Sequence, residues 1–421
     1  MYWRDGWPTL ADGSVYDGKR LLELVRNGER PFSAAWDVNL LIREIEQELN
    51  TQVADIPLGF QLELSNRPSA VARLARGDVN WPNFDGFSVD FQISEIKFEA
   101  EVYKLMETQP AIKASKLLYH RAPKQHEGPR TTTPQDIQGR RLMVFERAQG
   151  GSGGVWRRLS SAHQLDVVAQ AAVIRAALFH FQLPPGFAEK WLRERLFEQK
   201  PKSFDFPVAS TREFCVALFT SKIEATIRNI GDIIGWEDDG NVVGPKAAAA
   251  KKSLLRLIPY MLPQEEGSNS EIYRLVLEHG DFGIHNMTID DEGSSPEITS
   301  VFDWETGCIV PALLSDTLMC TLVDLGIDGQ GRPAVTRVDR NSDQEVAHQQ
   351  KALTERYHKV LFEQAPDYQK AVQAGIYARH LWFALRDWRG DDPEEYFRRL
   401  GAWADETMRK RNAVVRSEED K

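Results

Sequence analysis

The most informative segment of this chain spans residues 276–309, and its sequence is VLEHGDFGIHNMTIDDEGSSPEITSVFDWETGCI. Its first apolar residues predict a short strand that ends at His279-Gly280-Asp281. Asn286 follows five positions after Asp281. A strand that delivers a histidine, an aspartate and an asparagine into one short loop indicates a site of chemistry and not only of packing.

A β-hairpin is predicted directly after this loop. One strand covers Met287–Ile289, an acidic turn with a glycine follows, and the return strand covers Ile298–Phe302 and ends at Asp303. Because a hairpin brings its two ends together, we expect Asp281, Asn286 and Asp303 to converge. Two carboxylates and an amide oxygen suit Mg²⁺, which prefers oxygen ligands and completes its shell with water and phosphate oxygens.

The residues before position 150 predict a sheet with one long helix. Residues 1–36 form an N-terminal arm with a short helix near Leu21–Arg26, and residues 124–139 form an exposed loop rich in Pro, Thr, Gln and Gly. Helical spacing of apolar residues and short extended runs predict the remaining elements. The helices are Val38–Leu49 and Ile93–Met106, and the strands are Gly59–Leu64, Ala70–Leu74, Leu117–Tyr119 and Arg141–Phe145.

The composition changes at the glycine cluster Gly150–Gly154. It lacks the lysine and Ser/Thr of a phosphate-binding P-loop and therefore indicates a hinge. Helices are predicted afterwards at 161–181, 188–199, 210–231, 245–261, 313–325, 343–363, 366–388 and 393–411, with strands only at Leu275–Glu278 and in the hairpin. The resulting plan is a bilobal α+β fold with an arm (1–36), a strand-rich N-lobe (37–150) and a helical C-lobe (151–421).

The pattern H-G-D-x4-N, followed by a hairpin and Asp303-Trp304-Glu305, resembles the aminoglycoside phosphotransferase and choline kinase branch of the protein-kinase-like fold. It is most similar to fungal proteins with an aminoglycoside phosphotransferase domain. The resemblance extends over about residues 38–410. It implies an enzyme that transfers the γ-phosphate of ATP or GTP, held with Mg²⁺, to a hydroxyl of a small molecule.

The resemblance also implies roles for the loop residues. Asp281 orients the attacking hydroxyl and accepts its proton, and His279 braces the loop; we count both as catalytic residues. Asn286 and Asp303 hold Mg²⁺ against the phosphates. Since phosphoryl transfer has a loose transition state, positioning and charge neutralisation supply most of the catalysis.

Five residues of the first lobe are implied to bind the nucleotide. Arg73 stands where kinases carry a lysine that reaches the phosphates, and Glu101 on the following helix is expected to anchor it. A solvent-exposed charge on an amphipathic helix is the alternative for Glu101. Phe145, Glu146 and Ala148 belong to a segment that resembles the hinge strand, whose backbone binds adenine.

Three features depart from the family pattern. No glycine-rich loop precedes Ala70, where only Gly59 is found, and Gly283 stands where many kinases place a cation that contacts phosphate. The loop carries His285 in place of the common His-Pro order. Two alternatives to phosphoryl transfer therefore stay open: a catalytically silent nucleotide-binding or scaffold protein, and a biosynthetic enzyme that uses the cleft for other chemistry.

The acceptor is expected to contact helix 366–388, which carries Tyr377, His380, Trp382 and Trp388. Aromatic rings with nearby carboxylates suit an ammonium group, although aromatic residues at helical spacing also form cores. The acceptor is expected to be a small molecule with a hydroxyl group, either cationic or a specialised metabolite. An amino alcohol, a sugar and a specialised metabolite all stay open.

Charge and cysteine content bear on the partners and the cellular location of the protein. The 421-residue chain has 52 Lys and Arg against 62 Asp and Glu, a net charge of −10, and no basic run, so nucleic acid is not an expected partner. Three widely spaced cysteines form neither a disulfide framework nor a zinc pattern. The longest apolar stretches are interrupted by charges, so no membrane span is expected, and we predict a cytoplasmic protein.

Overall fold

A computed structural model describes residues 12–14, 18–29, 36–82, 84–127, 136–196, 201–235, 240–265, 271–337, 344–388, 390 and 392–419. Its contacts divide the chain into two compact units. The first unit comprises Met1–Arg157 together with Asn286–Glu305, and the second comprises Arg158–His285 together with Thr306–Lys421. One boundary between the two units lies within the segment 276–309, between His285 and Asn286.

The first unit is built on an antiparallel five-stranded sheet with the order β1-β2-β3-β5-β4. A separate two-stranded hairpin, β7–β8, belongs to the same unit. The strands are β1 (Val53–Leu58), β2 (Gln61–Leu64), β3 (Ala70–Leu74), β4 (Leu117–Arg121), β5 (Leu142–Glu146), β7 (Met287–Asp290) and β8 (Glu297–Val301). The helices are α1 (Leu21–Arg26), α2 (Val38–Leu49), α3 (Val89–Met106) and α4 (Gly153–Trp156).

The helices of the first unit begin where side chains satisfy their free backbone N–H groups. Asp37 accepts a hydrogen bond from the N–H of Asn39 at the start of α2, and Ser88 accepts one from Phe91 at the start of α3. Apolar residues of α1, α2 and the sheet form one buried cluster, which includes Leu21 and Leu22. The short helix of the predicted arm is therefore part of the core of this unit.

The second unit is mainly helical. Its helices are α5 (Ser161–His180), α6 (Pro185–Leu196), α7 (Arg212–Thr226), α8 (Pro245–Met261), α9 (Gln344–Gln364), α10 (Pro366–Ala374), α11 (Ile376–Asp387) and α12 (Pro393–Glu419). Its strands are β6 (Leu275–Glu278), β9 (Cys308–Pro311), β10 (Met319–Cys320), β11 (Asp324–Ile327) and β12 (Pro333–Arg337). β6 pairs with β9, and β10, β11 and β12 form a three-stranded antiparallel sheet.

The sheet-rich first unit and the helix-rich second unit confirm the predicted α+β, protein-kinase-like fold class. The prediction of the helix at Ile93–Met106 is confirmed, although its observed N-terminus lies earlier, at Val89. The predicted C-lobe included residues 286–305, whereas the structure groups them with the first unit. Backbone hydrogen bonds explain this grouping, because Val301 donates to Lys113 and Ile289 exchanges two bonds with Gly151.

The helix predicted at 313–325 is wrong. Most apolar side chains of this segment are buried, but the residues form a short 3-10 turn (Ala312–Leu314) and strands β10 and β11. A continuous apolar run does not distinguish a buried strand from a buried helix by periodicity alone. The helix predicted at 366–388 is in fact two helices, α10 and α11, separated at Gly375.

No single helix among the described residues has the length and apolar composition needed to cross a bilayer, and one pair bent by 98°, Ser161–His180 with Pro185–Leu192, passes that test only when joined.

Gly375 provides a test of the packing between α10, α11 and the turn before β10. A Cβ atom at Gly375 would lie 1.8 Å from the carbonyl oxygen of Leu313. We expect Gly375→Ala to lower the free energy of unfolding by about 1–3 kcal/mol, because the backbone must move apart. Denaturant unfolding measures the change. Gly186→Ala in α6 is the control, since a Cβ there meets nothing within 4 Å. A neutral Gly375→Ala would contradict this packing.

Candidate active site

Strand β6 delivers the loop that contains Asp281. It pairs with β9 in the second unit, with Glu278 opposite Cys308. The loop then turns sharply at Gly280, whose φ is +81° and whose Cβ, if present, would lie 2.0 Å from the carbonyl oxygen of Thr306. Only glycine fits this position, because L-residues avoid positive φ and the space is already filled.

His279 lies inside the protein and Asp281 lies near its surface. The carbonyl of His279 accepts a hydrogen bond from the Thr306 hydroxyl at 3.2 Å, and its ring packs edge-on against Phe282. His279 is fully buried, which agrees with a bracing role, while the side chain of Asp281 is 47% exposed. Asp281 is therefore accessible to a reactant.

His285 contacts the carboxylate of Asp281 directly. Its Nε2 lies 2.9 Å from Asp281 Oδ2, and both side chains are about half exposed. This contact restrains the carboxylate of Asp281 within the second unit. The sequence pattern did not indicate this role for His285, because the histidine stands at an unusual place in the loop.

Strand β10 explains the glycine at position 283. The backbone of Gly283 bridges to Cys320, and the N–H of Cys320 donates to the carbonyl of Phe282 at 2.9 Å. A Cβ at Gly283 would lie 2.7 Å from the carbonyl oxygen of Cys320. The space that a longer side chain would need is thus taken by β10, and no cation from position 283 fits there.

Asn286 and Asp303 are held at the same end of the β7–β8 hairpin. Met287 pairs with Val301, and the N–H of Phe302 donates to the carbonyl of Asn286 at 3.0 Å. The predicted convergence of these two residues is confirmed. Asp281 belongs to the second unit, so its approach to them stays a prediction.

Asp303 has an unusual backbone conformation. Its φ is +67°, in the left-handed region, where aspartate is more frequent than most residues but still uncommon. Its N–H donates to the hydroxyl of Tyr103 in α3 at 3.0 Å. Backbone strain of this kind clusters at functional sites. The tyrosine bond therefore fixes the carboxylate that follows the hairpin.

Arg73 on β3 connects α3 with the end of the hairpin. One guanidinium nitrogen donates to Asp303 Oδ1 at 2.7 Å, and the other bonds Glu99 Oε2. The side chain of Glu99 is 2% exposed, whereas those of Arg73 and Asp303 are about one third exposed. The arginine is thus anchored at its buried side and presents charge toward the surface.

The prediction that Glu101 anchors Arg73 is wrong. Arg73 bonds Glu99, which lies two residues earlier on α3. Residues two apart on an α-helix point about 200° apart, so Glu99 and Glu101 face different sides. Glu99 is buried toward the sheet while Glu101 is partly exposed. Because Glu95, Glu99 and Glu101 all lie on this helix, the sequence alone does not show which glutamate contacts Arg73.

Burial and charge act against each other in this cluster. Burial raises the pKa of Glu99 to about 7, and the positive charge of Arg73 opposes that rise. Burial alone would lower the pKa of Arg73, but the negative charges of Glu99 and Asp303 raise it above its ordinary value. Burial, strengthened by the charge of Glu99, also raises the pKa of the Tyr103 hydroxyl, which stays neutral. Arg73 therefore keeps its charge.

The donor set at the hairpin end fits Mg²⁺. Asn286 offers an amide oxygen and Asp303 a carboxylate, and Mg²⁺ is commonly bound by one or two carboxylates together with phosphates and waters. No group of three or more His, Cys, Asp or Glu side chains able to hold a metal is found among the described residues.

The hinge residues lie at the end of β5. The ring of Phe145 packs against Tyr103 with centroids 4.8 Å apart and lies 5.9 Å from the guanidinium of Arg73. The N–H of Glu146 donates to the carbonyl of Lys116, so it is already used within the sheet. Ala148 follows in extended chain, partly buried. Binding of a base by these residues stays a prediction.

A tight turn replaces the glycine-rich loop. β1 and β2 are joined by Gly59 and Phe60, with Leu58 paired to Gln61 and a φ of +56° at Gly59. Two-residue hairpin turns need positive φ, which glycine supplies. The ring of Phe60 packs on Trp36, with centroids 5.9 Å apart. This edge of the sheet is thus a short hairpin whose turn packs against Trp36.

A double-mutant cycle tests the anchor of Arg73. We expect Arg73→Met and Glu99→Gln to couple by about 0.5–3 kcal/mol in the free energy of unfolding, because each removes the same ion pair. Arg73→Met and Glu101→Gln, the matched control on the same helix, are expected to be additive. Urea unfolding of the single and double variants measures both cycles. Coupling through Glu101 with additivity through Glu99 would contradict the observed contact.

The sequence model of the phosphotransferase enzyme family (APH) matches residues 90–349, more than half of the chain. The match begins in α3, so Arg73 lies before it and Asp281, Asn286 and Asp303 lie within it. No curated protein matches the chain significantly.

Solved structures with a similar course of the chain include three kinases. Choline kinase from Cryptosporidium parvum Iowa II is 11% identical, with 91% of this chain and 97% of the kinase covered and a TM-score of 0.37. Aminoglycoside phosphotransferase APH(4)-Ia in a complex with ADP and hygromycin B is 14% identical, with 86% and 97% covered and a TM-score of 0.40. The complex of APH(2'')-IIa with streptomycin and ATP is 11% identical, with 83% and 89% covered and a TM-score of 0.40.

These TM-scores are low, so the assignment rests on the family match and on the residues of the Asp281 loop and the hairpin. The recognition made from H-G-D-x4-N and Asp303-Trp304-Glu305 is confirmed. The chain belongs to the phosphotransferase enzyme family.

Proposed function

We propose that this protein is a Mg²⁺-dependent phosphotransferase that moves the γ-phosphate of ATP or GTP to a hydroxyl of a small molecule. One observation carries the proposal. Asp303 is held in a left-handed conformation at the end of the hairpin, bonded by Tyr103 and Arg73 and next to Asn286. Such a costly arrangement of one amide, one carboxylate and one arginine suits a metal-bound polyphosphate.

In the proposed mechanism, Asp281 orients the acceptor hydroxyl and takes its proton as the phosphoryl group is transferred. The contact of His285 with Oδ2 holds the carboxylate in one orientation. A positioned base of this kind contributes rate mainly by orientation, because the transition state is loose and needs little bond formation to the acceptor.

Arg73 supplies a fixed positive charge for the phosphates of the nucleotide. Its planar guanidinium can bind phosphate through two hydrogen bonds, which a lysine cannot do. Glu99 holds the inner side of the guanidinium and thereby directs the outer side to Asp303. Asn286 and Asp303 would hold Mg²⁺, which neutralises charge on the phosphate oxygens when bound.

A cavity in the second unit is the proposed acceptor site. It has a volume of 540 Å³ and is lined by residues that include Tyr377, His380, Trp403, Asp316 and Glu406. The sequence singled out four aromatic residues here, and the structure divides them: two line the cavity, while Trp382 and Trp388 are buried in the core. Aromatic rings beside carboxylates favour a hydroxyl compound that carries a positive charge.

A cytoplasmic location is part of the proposal. All three cysteines are free thiols, which is typical of proteins in a reducing compartment.

Two aspartate substitutions test the function. We expect Asp281→Asn to lower phosphoryl transfer by a factor on the order of 10² to 10⁴ with little change in nucleotide affinity, because it removes a positioned base. Asp303→Asn is expected to weaken Mg²⁺-dependent nucleotide binding as well as transfer. Labelled γ-phosphate is followed into a pool of small hydroxyl compounds, and calorimetric titration measures binding.

Asp291→Asn in the turn of the hairpin is the matched control and is expected to leave both quantities unchanged. Tight nucleotide binding without labelling of any compound in a broad pool would support a catalytically silent binder. Unchanged binding and transfer in both test variants would place the site elsewhere.

A further inference from the structure

Arg175 of helix α5 is a buried charge next to the strand that delivers Asp281. Its side chain is 5% exposed, and its Nη2 lies 3.2 Å from Oε1 of Glu278, the last residue of β6. The same nitrogen bonds the carbonyl of Asp316, and Nε lies 3.4 Å from the hydroxyl of Tyr368. Arg175 therefore joins α5 to the residue that precedes His279-Gly280-Asp281.

Arg175 also contacts the residue that follows Asp281. Its guanidinium carbon lies 5.2 Å from the ring centroid of Phe282, within the range of a cation–π contact. The carbonyl of Phe282 is held by the N–H of Cys320 on β10. One side chain thus contacts both ends of the three-residue turn, at Glu278 and at Phe282.

The carboxylate of Glu278 is satisfied by several donors. The hydroxyl of Ser315 and the N–H of Asp316 bond it in addition to Arg175. The hydroxyl oxygens of Ser315 and Tyr368 lie 2.7 Å apart. Arg175 and Ser315 are buried and Asp316 is partly buried, so the position of Glu278 is determined from several directions.

Stability alone does not account for such a pair. Removing two charges from water is costly, and replacement of a buried ion pair by apolar residues of similar volume is often neutral or stabilising. The pair does, however, impose a direction, because a guanidinium bonds a carboxylate only in a narrow geometry. The constraint acts at the residues on either side of Asp281.

We propose that Arg175 is a positioning residue for Asp281: it fixes the turn by holding Glu278 before it and Phe282 after it. The inference rests on the proposed function, in which Asp281 orients the acceptor hydroxyl. A base displaced by about 1 Å loses rate by a factor on the order of 10² without any loss of substrate binding.

The test replaces the ion pair by apolar residues. We expect Arg175→Met with Glu278→Leu to fold, to keep KM for nucleotide and acceptor near the wild-type values, and to lower kcat by a factor on the order of 10 to 10². In an Asp281→Asn background the same pair of changes is expected to cost much less, since both act on one step.

The matched control is the pair of Arg121 and Glu44 in the first unit. Its side chains are 7% and 13% exposed, close to the 5% and 10% of Arg175 and Glu278. Arg121→Met with Glu44→Leu is expected to leave kcat within about twofold of the wild type, because both residues belong to the first unit and the Asp281 loop belongs to the second. An equal loss of kcat in the control, a wild-type kcat in the test variant, or an equal further loss in the Asp281→Asn background would overturn the proposal.

Hydrogen exchange supplies a readout that does not depend on turnover. The amides of Gly280, Asp281, Phe282 and Gly283 are expected to exchange at least tenfold faster in the apolar variant than in the wild type, with the rest of the second unit unchanged. Arg175→Lys serves if the apolar variant does not fold, because it keeps the charge and loses the planar fork. Unchanged exchange in this loop contradicts the positioning role. If the wild type transfers no phosphoryl group, the proposed function is contradicted. Hydrogen exchange in the loop then still tests whether Arg175 holds the turn.

Discussion

The guanidinium of Arg73 bonds two carboxylates from distant parts of the chain, and the candidate nucleotide site depends on this contact. Glu99 lies 26 residues away on α3, and Asp303 lies 230 residues away at the end of the hairpin. The buried glutamate needs the arginine, because burial favours its neutral form. The arginine also holds the carboxylate of Asp303, which is suited to a metal, so both acidic residues of the cluster depend on Arg73.

Much of this site could be predicted from the sequence. The hairpin after Asn286 followed from alternating short strands and an acidic turn, and a hairpin has only one way to bring Asn286 and Asp303 together. The strand that carries Arg73 and the helix opposite it were also predicted. The choice of Glu99 over Glu101 was not predicted, because it depends on which side of α3 faces β3, and both residues are acidic.

The residues that position Asp281 were less accessible to prediction. Thr306 excludes any side chain at Gly280, and β10 excludes one at Gly283. Both are contacts between segments distant in sequence, and β10 itself lies in a run that predicts a helix. Departures from the family pattern at Gly283 and Gly59 are thus local consequences of how β10 and the β1–β2 turn pack, and they do not remove Asp281, Asn286 or Asp303.

Arg73 has the proposed role of the cation in a phosphate site. Its most direct test is the affinity of wild type and Arg73→Met for the series nucleoside, monophosphate, diphosphate and triphosphate, measured by titration with adenine and guanine compounds. If Arg73 has this role, the wild type gains affinity with the second and third phosphates, and Arg73→Met loses this gain while nucleoside binding is unchanged. An equal loss for nucleoside and triphosphate, or no loss for any of them, would contradict it.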